Sequence, residues 1–203
     1  MTSNWVPLAV EDTDPNPFDQ FARWREDATS LLREPDTVVL ATASATGQPS
    51  ARMVLLRYSD DHSFGWYTNY ESRKGQDLAS NPRAAIVWYA EPFGRQVRIE
   101  GDVVVMDAAA SDAYFASRPR GHQIGAWASE QSQPLAHRSD LEERVAALRR
   151  QYDGEVIGRP VNWGGYQLFP HCFEFWQHRD DRLHDRVLYT LTSHEWRRER
   201  VAP

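Results

Sequence analysis

The chain has 203 residues, 41% of them hydrophobic and 12% aromatic, with a net charge of −6 and one cysteine. That length suits one domain with a true core, and the single Cys172 excludes an intramolecular disulfide or a multi-cysteine metal site. With no basic block, nucleic acid and anionic membrane surfaces are not expected partners, and with no apolar span or basic leader the expectation is a cytoplasmic protein.

Residues 1–15 are Pro- and Asp-rich and read as a flexible lead-in; residues 16–203 read as a single domain. "NPFDQFARWREDATSLLRE" places Phe18, Phe21, Trp24, Ala28 and Leu31 at helical spacings, which predicts an amphipathic helix ending before Pro35. "TVVLATASATGQPSARMVLLRY" predicts a hairpin over about 37–57, turning at "SATGQP". "SFGWYTNY" reads as a strand, and "SRKGQDLASNP" as a short helix capped by Ser72 and stopped by Pro82.

"RAAIVWYA" and "RQVRIEGDVVVMD" are the next strands. Two helical stretches follow, separated at Pro119 and Gly121. "SDLEERVAALRRQYDG" is a helix with Ser139 as cap and Glu142 at capping-box spacing. "WGGYQLFPHCFEFWQH", "RLHDRVLYTL" and "EWRRERV" close the chain as strands. Tight turns join strands that do not alternate regularly with helices, so the fold class is mainly β: an antiparallel sheet or barrel with flanking helices.

Nucleotide-loop, zinc-protease and serine-hydrolase signatures are absent, and the seven His residues have no ligand spacing, so no metal is expected. What stands out is a set of anion-binding pieces. Arg73 and Lys74 occupy a first helical turn, where the macrodipole disfavours cations unless an anion is bound. Arg52 and Arg57 bracket four apolar residues and converge only if their strand bulges or ends between them. Tyr114 and Arg118 are four apart on a helical pattern, with Gln131 and Ser132 as neutral donors beyond them. Gln96 shares a strand face with Arg98 and Glu100. In "HRDDRLHDRVLY", Arg182, His184 and Arg186 recur at every second position, as on one face of a strand, close to Trp176 and Trp163. For each piece the blander reading is solvated surface charge, balanced in the last case by Asp180, Asp181 and Asp185. Together, in an acidic chain, they point to phosphorylated aromatic ligands.

In order and content, "NPFDQFARW", "ARMVLLR", "WYTNYESRKGQDLASNP", "RQVRIEG", "YFASRPRGHQIGAWASEQS", "RPVNWGGYQL", "EFWQ", "RLHDR" and the final "RVAP" resemble the pyridoxamine 5′-phosphate oxidase family, from about residue 16 to 203. The resemblance implies an FMN-binding split β-barrel, Greek-key-like, forming a homodimer with FMN at the subunit interface. It implies oxidation of pyridoxine or pyridoxamine 5′-phosphate to pyridoxal 5′-phosphate by hydride transfer from C4′ to flavin N5, with O2 as acceptor and H2O2 as product. By motif, Arg52, Met53, Val54, Leu55, Tyr67, Thr68, Arg73, Lys74, Gln96, Gln131, Ser132, Trp176 and Arg186 correspond to FMN positions. Arg57, Tyr114, Arg118 and His122 correspond to the substrate-phosphate site, and Arg182 and His184 to the catalytic pair that holds the substrate ring. The sequence departs from the family pattern at Arg57, where Lys is usual, and at His122, where Ser is usual. The Arg-x-x-Tyr segment of some members is not seen before Asn16. An FMN oxidase of the same fold acting on another aromatic compound, such as a dihydrophenazine, is the alternative, and a non-catalytic flavin-binding module is a third reading.

Overall fold

The computed structural model describes residues 5–203. Nine antiparallel strands form one sheet: β1 Thr37–Ala43, β2 Pro49–Leu55, β3 Tyr58–Ser59, β4 Phe64–Asn69, β5 Arg83–Ala90, β6 Arg95–Val105, β7 Trp163–Gln177, β8 Asp185–Thr192 and β9 Glu195–Arg200. The order is β2-β1-β5-β6-β7-β4-β3, with β8 paired to β7 and β9 to β8. The described residues also form five α-helices: α1 Pro17–Thr29, α2 Arg73–Ser80, α3 Ala108–Ser117, α4 Arg120–Ala128 and α5 Arg138–Gln151.

The fork in the sheet lies on β7. Its first residues, Trp163–Leu168, pair with β4, and its last, Cys172–Gln177, pair with β8. Strand β6 runs along the other edge of both halves, with a register shift between Glu100 and Gly101. A bulge of this kind bends a strand and sharpens its twist, so the sheet curls instead of lying flat. Gly101 makes the bend possible: a Cβ there would sit 2.2 Å from the Phe169 carbonyl oxygen.

The alternation read from the sequence is realised. Val97 and Ile99 are fully buried while Gln96, Arg98 and Glu100 face the other way. Leu40, Trp66, Ile86, Trp88, Leu168, Phe173, Phe175 and Tyr189 join them in the main core, over which α1 lays Phe18, Phe21 and Trp24. Asn16 caps α1 by accepting from the Phe18 amide at 3.0 Å. Burial of large aromatic side chains of this type contributes on the order of 2–3 kcal/mol each. A smaller cluster, Phe115, Ile124, Ile157 and Trp163, seats α3 and α4 against β7.

Several local expectations are corrected. Residues 5–15 are not a loose lead-in: Leu8 and Thr13 are buried, and Arg198 and Arg200 donate to the carbonyls of Val10, Thr13 and Leu8. Long-range arginine bonds, invisible to composition, tie this segment down; residues 1–4 lie outside the described part. The helical break falls at Arg118–Pro119, and Gly121 lies inside α4. Helix α5 begins at Arg138, capped by His137, whose amide donates to Asp140 at 3.2 Å. The stretch from Arg182 to Arg186 is not one strand. Asp180–Arg182 form a 3-10 turn with Asp181 at φ 55° and Arg182 at φ 62°, and β8 starts only at Asp185.

Candidate active site

Strand β2, the end of β4, the start of α2, the α3–α4 junction and the loop after α4 enclose a cavity of about 870 Å³. Arg52, Met53, Val54, Leu55, Arg57, Tyr67, Thr68, Arg73, Lys74, Tyr114, Arg118, His122, Gln131 and Ser132 line it. These come from distant parts of the chain, yet all were singled out from sequence. Arg52 and Arg57 converge because β2 ends at Leu55, so the alternation that would separate them stops. Trp163, which also lines the cavity, was seen only as a flat face near the opposite cluster.

The anion-binding character is concentrated at α2. Gly75 packs against the Tyr70 backbone, where a Cβ would fall 2.0 Å from the carbonyl oxygen. This close approach aims the start of the helix inward. Ser72 stands at the N-cap, but its side chain does not cap. Its hydroxyl donates to the Asn69 carbonyl at 2.6 Å and accepts from Lys74 Nζ at 2.9 Å. Lys74 also donates to Thr68 Oγ1 at 2.9 Å and to Gln131 Oε1 at 3.2 Å. All three acceptors are neutral. Burial, reinforced by the nearby Arg52 charge, pushes the Lys74 ammonium down to about 8. Arg52 donates to the Leu40 carbonyl, Thr42 and Ser50, and lies 3.8 Å from Asp77. Burial lowers its pKa, with Asp77 acting in the opposite direction.

The other end of the cavity is aromatic. The Tyr67 and Tyr114 rings stack with centroids 3.8 Å apart, and Trp163 extends the stack at 5.6 Å from Tyr67. The Arg118 guanidinium lies 4.6 Å from the Trp163 ring, the geometry of a cation–π contact. Arg118 is the C-cap of α3, four residues after Tyr114; its φ of −70° is still helical and only its ψ of 148° turns the chain away, and both side chains line the cavity. Its Nη1 is buried and has no hydrogen-bond partner. An unpaired buried guanidinium nitrogen is costly unless an anion completes it.

Gln96, Trp176, Arg182, His184 and Arg186 do not line this cavity. Gln96, Trp176 and Arg186 stand side by side on β6, β7 and β8, where Gln96 pairs with Trp176 and Trp176 with Arg186, while Arg182 and His184 lie in the turn before β8, with the His184 ring against Trp176. Buried Glu174 accepts from Arg186 Nε at 3.1 Å and Nη2 at 2.8 Å, and from Arg98 at 3.3 Å. The Ala202 carbonyl accepts from Arg186 Nη1 at 2.6 Å. The Glu174 bonds raise the Arg186 pKa against a smaller opposing effect of burial. Sequence reading named Asp185 as a balancing charge for this cluster, but it pairs with Arg179 and Arg200 instead. The actual counter-ion, Glu174, is twelve residues from Arg186 and was missed; only the strand register reveals it.

His184 accepts from the Arg179 amide through Nδ1 at 3.1 Å. Its ring lies 4.5 Å from Trp176 and 5.0 Å from His178. Burial, then the charges of His178 and Arg182, lower its pKa. A neutral imidazole whose Nδ1 accepts carries its proton on Nε2, which makes that atom a donor. Among the described residues, no group of three or more His, Cys, Asp or Glu could hold a metal ion, and no helix is long and apolar enough to cross a membrane.

Residues 25–152 match the family model described as pyridoxamine 5′-phosphate oxidase, and residues 163–203 match the pyridoxine 5′-phosphate oxidase C-terminal dimerisation region. The chain is 53% identical over 198 residues to the pyridoxine/pyridoxamine 5′-phosphate oxidase of Paraburkholderia phymatum, covering 97% of this chain and 93% of that one. It is 49% identical over 197 residues to that of Rubrobacter xylanophilus, covering 97% and 91%. Among solved structures it is similar to PhzG of Burkholderia lata in complex with tetrahydrophenazine-1-carboxylic acid, with a TM-score of 0.92, 29% identity and all of both chains covered. It also shares its fold with a pyridoxamine 5′-phosphate oxidase-related, FMN-binding protein of Nostoc punctiforme, with a TM-score of 0.74, 19% identity, and coverage of 98% of this chain and 100% of that one.

Proposed function

The chain belongs to the pyridoxamine 5′-phosphate oxidase family of FMN-dependent oxidoreductases and carries that family's C-terminal dimerisation region, and on that footing we propose that it oxidises pyridoxine 5′-phosphate or pyridoxamine 5′-phosphate to pyridoxal 5′-phosphate. O2 is the acceptor and H2O2 the product. The observation that carries this reading is the wall of the cavity. Arg52, Arg57, Arg73, Lys74 and Arg118 converge there in a chain of net charge −6. Lys74 is bonded only to neutral oxygens, and Arg118 Nη1 to nothing.

These residues fit FMN. The start of α2, with Arg73, Lys74 and nearby Arg52, supplies cations and helical N–H groups for a phosphate. Thr68, Gln131 and Ser132 supply neutral donors and acceptors, while Met53, Val54 and Leu55 offer the backbone of a strand edge along which a planar ring can lie. When bound, FMN supplies the two-electron acceptor for the substrate. The protein's part is to bind, orient and donate hydrogen bonds.

Tyr114 and Arg118 would hold the substrate phosphate, with Arg57 and His122 beside them. Arg182 and His184 would hold the substrate ring, His184 donating from Nε2. Because this pair lies outside the cavity of its own chain, each site of a homodimer would join the cavity of one subunit to the His184 cluster of the other. Arg186, Gln96 and Trp176 would meet FMN from the same side.

A second reading, oxidation of a dihydrophenazine-type aromatic acid, is favoured by the likeness to PhzG and by the His122 and Arg57 departures. The test is incubation of the FMN-loaded protein with each phosphorylated vitamer and oxygen, following H2O2 and pyridoxal 5′-phosphate. Turnover with both products is expected; flavin that stays oxidised under anaerobic vitamer excess refutes the proposal.

A further inference from the structure

The N-terminal segment reaches the turn that carries His184. The Trp5 ring stands edge-on to His178 with centroids 4.1 Å apart, and His178 in turn lies 5.0 Å from His184. The slot for Trp5 exists because residue 94 is glycine. It adopts φ 57°, and a Cβ there would sit 2.9 Å from the Trp5 ring and 2.8 Å from the His178 Cβ. Trp5 Nε1 donates to the Pro92 carbonyl at 3.4 Å, and the His178 amide donates to the Gly94 carbonyl at 2.8 Å.

The same segment grips the residue that follows His184. The Leu8 amide donates to Asp185 Oδ2 at 3.1 Å, while Arg200 donates to Asp185 Oδ1 at 2.7 Å and to the Leu8 carbonyl at 3.0 Å. Between these anchors lies a turn with two non-glycine residues at positive φ, Asp181 and Arg182. Backbone of that kind is strained and persists only where its surroundings hold it. The His178 Nδ1 is buried without a partner, and the ring packs against Trp5, His184 and, at 5.9 Å, Trp176.

We propose that the N-terminal strap is a positioning element of the active site: Trp5, through His178, holds the 178–184 turn so that the Arg179 amide stays on His184 Nδ1 and His184 presents one tautomer, with its proton on Nε2. Trp5 need not touch substrate. The consequence for turnover rests on the proposed role of His184 at the substrate ring; the tautomer itself does not.

The experiment compares FMN-loaded parent, Trp5→Ala, Trp5→Phe and His178→Ala. Long-range 1H–15N spectra read the His184 tautomer, and vitamer kinetics and flavin content are measured on the same samples. The parent is expected to show a single Nε2–H form. Trp5→Ala and His178→Ala are expected to show both forms and at least a tenfold loss of kcat/KM with full flavin, a loss of the size that small misplacements near a reacting centre produce. The Phe variant, which keeps an edge-on ring, is expected to restore both readouts. A single tautomer in Trp5→Ala overturns the proposal whatever the rate does, as does a mixed signal with an unchanged rate in an active enzyme. If the alanine variant does not fold, His178→Ala is read by the same criteria. Should the parent turn over no vitamer, the substrate reading fails, and the tautomer comparison alone decides the role of the strap.

Discussion

Replacing Lys74 by Met removes a buried charge and keeps the length of the side chain. In the protein without FMN that charge is held at a cost: a fall from 10.5 to about 8 corresponds to roughly 3 kcal/mol against the ammonium form in the folded state. The cause is burial first, with Arg52 adding to it. Against this stand the bonds to Thr68, Ser72 and Gln131, whose loss costs on the order of 1–2 kcal/mol in all, since two of the acceptors are hydroxyls that can reorient. The FMN-free Met variant is therefore expected to be as stable as its parent at pH 7, or more stable by about 1–2 kcal/mol. The pH dependence is the sharper signature. Lys74 loses its proton at lower pH when folded than when unfolded, so the unfolded chain binds more protons between about 8 and 10.5, and parental stability rises with pH there. From pH 7 to 9 the parent should gain roughly 1 kcal/mol relative to the Met variant. With FMN the order reverses: losing one charge-assisted bond to a phosphate costs about 1.5–3 kcal/mol, or roughly 10–150-fold in Kd. Urea unfolding of the FMN-free proteins at the two pH values and flavin fluorescence titration measure these quantities. An FMN-free Met variant more than 1 kcal/mol less stable than its parent, with unchanged FMN affinity, refutes the reasoning.

The remaining expectations follow from the same geometry. Glu174→Gln should leave Arg98 and Arg186 without their shared buried counter-ion; a stability loss of about 1–3 kcal/mol, reduced by the partial exposure of both arginines, and weaker FMN retention are expected in thermal melts and flavin release. Gly75→Ala forces a Cβ onto the Tyr70 backbone and should displace the start of α2, with more than about 2 kcal/mol lost and flavin binding impaired; a normal melting temperature with full flavin would count against the docking argument. Arg182→Ala and His184→Ala should lower kcat/KM while flavin stays bound, whereas Arg186→Ala should release flavin; equal flavin loss from all three contradicts the division of roles. Arg57→Lys and His122→Ser should lower KM for a phosphorylated vitamer if these positions weaken phosphate binding, and an unchanged KM favours the other aromatic substrate.

Much of the cavity was legible because its chemistry is local. Arg73 and Lys74 at a helix start, Tyr114 and Arg118 around a helix end, and the alternation of Val97 and Ile99 against Gln96 and Arg98 are patterns within a few residues, and periodicity exposes them. The ordered motifs of the chain carried the family and the mainly antiparallel fold for the same reason. What tertiary structure decided is everything that depends on register or on where a strand stops. β2 ends at Leu55, so Arg52 and Arg57 can line one cavity; β8 begins at Asp185, so Arg182 and His184 stand in a turn with positive φ at Asp181 and Arg182 and not on a strand face. Glu174 is the partner of Arg186 only through the β7–β8 pairing, and Trp5 reaches His178 across a gap in sequence that no local pattern spans. Hydrophobic spacing determines which face of an element is buried; it says nothing of which distant side chains then share a few ångströms, because that is settled by the packing of the whole sheet.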